Sequence, residues 1–323
     1  MEPVRGKAPE SRAIRIAKQV LRRLAFYPFL IASLLVFPAW MPWMILGWLG
    51  IAAARLFQEK SLWPPLTVCF VLILIKRVAW GPELALLVIV LAVTASVDAI
   101  AHRKPSWAGW VRPVFGGLLA AWMLLAWHWH RDAHTPRRPE LLSDRPVVCI
   151  GDSLLSGGFA RVLQQRLKVP VVDLAQGGIT TRDGAKLIPD MMEMRPQAVI
   201  LELGGHDSLR GRSRAQAKEN LEEIILSARL LGAEVFLFEI PLGFVSDPYS
   251  GLDRELSRVY GLELISDGAI RQLVYFSPFT PLGRWTGRVL SYDGLHPNDS
   301  GNRFLADCVE AALVRVYGAS IQR

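Results

Sequence analysis

The sequence predicts two units: an all-α transmembrane bundle, then an α/β domain built on a mainly parallel sheet. Three observations predict them. From Leu24 to Trp129 the chain is mostly apolar, broken only by short charged or proline-rich stretches. From residue 146 onward short apolar runs alternate with helical stretches, as in strands joined by helical crossovers. Charge divides at the same place: residues 1–138 hold 17 Lys and Arg against 6 Asp and Glu, and residues 139–323 hold 20 against 23. The formal net charge of +8 thus comes from the first half, and it is no argument for nucleic acid as a partner. With 51% hydrophobic and 20% charged residues, the 323-residue chain is not of disordered composition. The expected organisation is a basic cytoplasmic arm over 1–23, a transmembrane domain over 24–130, a linker over 131–145 and the α/β domain over 146–323.

In the first half, candidate spans fall at about 20–37, 41–56, 62–80, 82–101 and 109–128. Trp63 and Trp80 bracket one of them; a helix between these two rings is about 25 Å long and ends in two interfacial anchors. Trp110 and Trp127 bracket the last in the same way. Leu24 to Leu56 is too long for one straight helix, and Phe37-Pro38-Ala39-Trp40-Met41-Pro42 reads as its break. The expected count is five spans, with four as the alternative. Arg5, Lys7, Arg12, Arg15, Lys18, Arg22 and Arg23 hold the N-terminal arm in the cytoplasm by the positive-inside rule. Five spans then carry residue 139 onward out of the cytoplasm, and four leave it inside. His128, His130 and His134 have a spacing that suits a metal, but an interfacial belt of Trp and His is the simpler reading. Cys69, Cys149 and Cys308 lack C-x-x-C spacing, so neither a disulfide framework nor a zinc site is expected.

In the second half Val147–Ile150, Val171–Leu174, Ala198–Leu203, Glu234–Glu239 and Leu262–Ile265 read as buried strands. Helices are expected near 157–168, 182–193, 214–232, 251–260 and 299–317. In such sheets ligands bind beyond the carboxyl ends of the strands, which points to the loops starting at Gly151, Ala175, Gly204 and Pro241. Residues 276–292, with Phe276, Phe279, Leu282 and Trp285, read as a flap over the site or toward a bilayer.

Polar groups stand where that rule directs. Gly151-Asp152-Ser153 follows the first strand, Gly177-Gly178 the second and Gly204-Gly205-His206-Asp207 the third, and Asp293-Gly294-Leu295-His296-Pro297-Asn298 stands near the end. A serine hydroxyl becomes a good nucleophile when an imidazole takes its proton, and the imidazole needs a carboxylate to fix its tautomer. Asp293 and His296 are three residues apart, so one turn brings both to the same face. Asp152 reads as an acceptor for loop amides rather than as the acid of this set.

These four stretches, over roughly residues 146–317, resemble the SGNH (GDSL) hydrolases, specifically their bacterial thioesterase/arylesterase/lysophospholipase branch. The resemblance implies a flavodoxin-like parallel sheet, with Ser153 as nucleophile, His296 as base and Asp293 as its orienting acid. It implies an oxyanion hole from the amides of Ser153 and Gly178 and the side chain at 206, and no cofactor or metal. That family's third block reads G-x-N-D, whereas this chain has His206 in place of the asparagine. A neutral imidazole still donates one N–H, and a protonated one donates two. The expectation is a membrane-embedded serine esterase or thioesterase of the bacterial inner membrane, acting on acyl esters, lipid-like ones included, with the bilayer as its other partner. The alternative is an O-acyltransferase or deacetylase working on cell-envelope glycans with the same residues. A third reading, of a different class, is a multi-span transporter or scaffold whose α/β domain only binds.

Overall fold

In the computed structural model the described residues are 27–33, 41–57, 60–76, scattered helical positions between 89 and 124, 139–241, 248–249 and 251–323. Five parallel strands form the sheet: β1 (Val147–Gly151), β2 (Val171–Asp173), β3 (Ala198–Glu202), β4 (Glu234–Phe238) and β5 (Glu263–Ile265). Their order is β2-β1-β3-β4-β5, and β1 lies between β2 and β3 with Val147 opposite both Val171 and Ala198. The central strands β1 and β3 are buried along their whole length, which is why they read as continuous apolar runs rather than as alternations. Successive side chains divide between two cores. Val147, Cys149, Ile200 and Phe236 face one; Val148, Ile150, Leu201 and Leu237 face the other.

The first of these cores is covered by α3 (Phe159–Arg166), α9 (Gly268–Tyr275) and α11 (Asp299–Tyr317), and the second by α5 (Ile188–Met194), α7 (Arg214–Leu230) and α8 (Leu252–Tyr260). Where one helix was expected over 182–193 there are two, α4 (Thr181–Ala185) and α5. Thr180 opens α4 with a reciprocal capping box to Asp183, and Pro189 sits in the first turn of α5. Proline has no N–H to donate and is at home only at a helix start, so the chain breaks and begins again. The short α6 (Gly205–Leu209), together with α9 and α10 (Pro281–Thr286), was not foreseen. The expected flap over 276–292 contains α10 and is tied down: Thr280 caps this helix at Gly283, and the Ser291 hydroxyl donates to Leu273 O at 2.7 Å.

The expected spans 41–56 and 62–80 coincide with α1 (Met41–Phe57) and α2 (Trp63–Lys76), of 17 and 14 residues. Among the described residues no helix is long and apolar enough to cross a membrane. Trp48 of α1 is fully buried, and its indole N–H donates to Ser33 Oγ at 2.9 Å. The basic arm 1–23, most of the other three spans and the three histidines at 128, 130 and 134 lie outside the described residues.

Candidate active site

The site lies at the carboxyl edge of the sheet, where the loops after β1, β2 and β3 meet. Gly151 ends β1, and the chain then turns tightly because Asp152 O accepts from the amides of Leu155 and Ser156. The Asp152 side chain is buried and its Oδ1 accepts from Leu154 N at 3.0 Å, the amide-binding role expected of it. Asp152 N donates to Glu202 Oε2 at 3.0 Å, which fastens this turn to the end of β3. On the other side Asn302 of α11 donates to Gly157 O at 2.8 Å. Ser153 is thus held half-buried on a turn clamped from two directions.

The loop after β2 brings Gly177 alongside, close enough that a Cβ on it would be 3.9 Å from the Ser153 Cβ. Gly178 takes φ +81°, a conformation that favours glycine, and the space where its Cβ would stand is open. The third loop places His206 in the first turn of α6, its Nε2 4.0 Å from Asp152 Oδ2. Asp207, fully buried, accepts from both the amide and the hydroxyl of Thr181 at 2.7 Å and so ties the second loop to the third.

Residues 289–298 form a closed loop before α11. Tyr292 N donates to His296 O at 3.0 Å, and Asn298 caps α11 by accepting from Gly301 N at 3.0 Å. Inside the loop Asp293 Oδ1 accepts from the amides of Leu295 and His296, which aims Oδ2 at His296 Nδ1, 2.6 Å away. The other ring nitrogen, Nε2, stands 3.0 Å from Ser153 Oγ. Hydrogen bonds from the His296 ring and from these two amides hold the Asp293 carboxyl well below the usual carboxylate range. The structure therefore brings Ser153, His296 and Asp293 into one hydrogen-bonded series, with Gly178 and His206 on the adjoining loops.

Glu202 escaped the sequence reading. It is a lone acid in an apolar run, fully buried at the end of β3, and its Oε1 has no partner among the described residues. Burial, then the nearby charge of Asp152, pushes its carboxyl well above the ordinary range. Burial likewise raises Asp152. The only signal in the sequence was the cost of an acid among Val199, Ile200 and Leu201. Among the described residues no group of three or more His, Cys, Asp or Glu is placed to hold a metal.

The GDSL-like Lipase/Acylhydrolase family model matches residues 149–304. Esterase TesA of Pseudomonas aeruginosa is 32% identical over 168 residues, 47% of this chain and 79% of the relative. Thioesterase 1/protease 1/lysophospholipase L1 of Escherichia coli is 26% identical over 182 residues, 52% of this chain and 82% of the relative. A crystal structure of TesA aligns over 52% of this chain and 98% of its own, with 24% identity and a TM-score of 0.45. A parallel α/β sheet with a serine on the turn after its first strand, in a chain with esterase relatives, defines a serine ester hydrolase. The chain belongs to the GDSL-like Lipase/Acylhydrolase family.

Proposed function

We propose that the protein is a membrane-bound serine esterase or thioesterase that works through an acyl-enzyme. The observation that carries the mechanism is the series Ser153 Oγ, His296 Nε2, His296 Nδ1 and Asp293 Oδ2, at 3.0 and 2.6 Å. Ser153 Oγ attacks the ester carbonyl carbon as its proton passes to His296 Nε2, and the carbonyl oxygen becomes an oxyanion. The amides of Ser153 and Gly178 and an N–H of His206 stabilise that charge. His296 returns the proton to the leaving alcohol or thiol, whose bond to the acyl carbon breaks. Water, giving its proton to His296, then releases the acid from Ser153. Asp293, held ionised, stabilises the imidazolium at both stages. Relatives of this chain are named as esterase and as thioesterase, protease and lysophospholipase, and the same acyl-transfer chemistry serves esters, thioesters and lysophospholipids.

The apolar run from Leu24 to Trp129 and the basic arm support attachment to the bacterial cytoplasmic membrane. With five spans the α/β domain lies on the periplasmic side. An impermeant thiol reagent reaches a cysteine placed on the surface of this domain in cells with a permeabilised outer membrane; protection until lysis would place the domain in the cytoplasm. For the chemistry, a fluorophosphonate labels Ser153, and p-nitrophenyl esters of increasing chain length, beside lysophospholipid, define the acyl preference. Folded protein that neither labels nor turns over any of these esters would overturn the esterase reading.

A further inference from the structure

Among the described residues of the α/β domain, half of the exposed large apolar side chains fall within 17 residues that lead into and through the loop of Asp293 and His296. They are Phe279, Leu282, Trp285, Tyr292 and Leu295, with Trp285 88% exposed and Phe279 and Tyr292 both 66%. Scattered apolar residues on a surface are ordinary, but five in so short a stretch, three of them aromatic, are not; the stretch adjoins the loop of Asp293 and His296, where the Cβ position of Gly294 lies 3.9 Å from the Ser277 Cβ. Trp285 is also the only tryptophan after Trp129.

The cluster is held out by an ordered scaffold. The Cβ position of Gly283 lies against Ser277 O, so α10 packs directly on the backbone beneath it. Arg284 Nε donates to Pro278 O at 3.0 Å, and the Arg288 guanidinium stacks over Phe276 at 4.6 Å and Phe304 at 5.3 Å. These contacts fix the backbone and leave Trp285 and Phe279 pointing outward. Tyr292 and Leu295 stand on the loop that carries Asp293 and His296, so whatever covers the cluster also borders the imidazole.

Charge selects the occupant. Residues 276–292 contain Arg284 and Arg288, both exposed, and no acidic residue. The adjoining acid, Asp293, is engaged by His296. A second copy of this face would bring like charges together, and the chain's own first half carries 17 basic against 6 acidic residues, the same sign. Aromatic rings interleaved with arginines instead match the boundary of an anionic bilayer, where rings sit at headgroup level and guanidinium groups meet phosphates.

We infer that the face formed by residues 279–295 docks on an anionic phospholipid surface and opens the active site at the lipid–water boundary. The inference rests on the esterase reading of Ser153 and adds the surface from which substrate arrives: an ester-bearing amphiphile drawn from the bilayer. Docking contributes to capture of such a substrate and not to the acyl-transfer step.

The test uses the full-length protein in phosphatidylcholine vesicles, with and without phosphatidylglycerol. Leu282→Cys in a Cys308→Ser background is labelled with an environment-sensitive fluorophore; Cys69 and Cys149 are buried. The label is expected to shift to the blue and to be quenched by doxyl lipid, more strongly when phosphatidylglycerol is present. In parallel, Phe279→Ser/Trp285→Ser is expected to lower kcat/KM for a vesicle-borne long-chain ester by about tenfold or more. Turnover of soluble p-nitrophenyl acetate should be unchanged. A label that stays in water in both vesicles, or is buried without doxyl quenching, overturns the inference, the latter pointing to a protein surface. Equal loss on both substrates also overturns it. Failure of the wild type to hydrolyse the soluble ester would instead count against the esterase reading, because the label reports lipid contact independently of turnover.

Discussion

The Asp152 carboxyl faces the imidazole of His206 across 4.0 Å, one residue before the nucleophile. Asp152 Oδ1 is occupied by the Leu154 amide, which leaves Oδ2 turned toward His206 Nε2.

In the proposed mechanism His206 supplies one oxyanion donor. His206→Ala is expected to lower kcat by about 10²–10³-fold, or about 2.7–4 kcal/mol, with little change in KM. His206→Asn restores an amide donor and retains much of the activity. An alanine variant within about threefold of wild type would remove His206 from the oxyanion hole.

Ser153 and His296 share one hydrogen bond, and the proposed mechanism has them act as a unit. Ser153→Ala and His296→Ala should each lower kcat by about 10³-fold or more, and the double variant by little beyond either. Losses that multiply would show that the two residues work separately. Circular dichroism of each variant should match the wild type, since neither side chain belongs to the core.

Glu202 gives a pH dependence of stability whose sign follows from its raised folded-state pKa. The folded protein holds a proton that the unfolded chain releases above about pH 4.3, so stability is fullest below that value and falls as pH rises. Glu202→Gln keeps the acceptor for Asp152 N and has nothing to titrate. The difference in Tm, variant minus wild type, should be small near about pH 4 and grow in favour of Gln toward about pH 8. A difference that stays constant over this range would show that Glu202 does not carry the extra proton.

Gly301 opens the last helix against the loop of Asp293 and His296. A Cβ there would lie 2.0 Å from Leu290 O and 2.9 Å from the Pro297 Cβ. Gly301→Ala must push this loop outward, at about 1–3 kcal/mol for the overpacking. Misplacing His296 by a fraction of an ångström is expected to lower kcat by up to about 10²-fold. Thermal melts and steady-state kinetics on the same preparation check both; full kcat alongside a lowered Tm would show that the loop adjusts without moving the imidazole.

The sheet was legible because β1 and β3 are buried on both faces, so Val147–Ile150 and Ala198–Leu203 stand out as unbroken apolar runs. The residues of the hydrogen-bonded series were legible because each follows a strand or precedes a helix cap. What escaped the sequence depends on partners distant in the chain. Pro189 divides α4 from α5 only because Thr180 already caps the first, and α6 and α10 are too short to show a period. Glu202 acquires its character only once Asp152 folds over it. The expected spans rested on hydropathy, bracketing tryptophans and a proline break, and most of those residues lie outside the described ones; within them α1 and α2 fall in the expected runs 41–56 and 62–80.

The hydrogen bond from Asn302 to Gly157 joins the final helix to the turn behind Ser153, and the imidazole likewise comes from the far end of the domain. On the proposed mechanism, reactivity consequently depends on a segment that follows all five strands in the chain. A polypeptide cut before residue 289 would keep Ser153 and every strand but lack the proposed base, and its hydroxyl would be no more reactive than one in free solution.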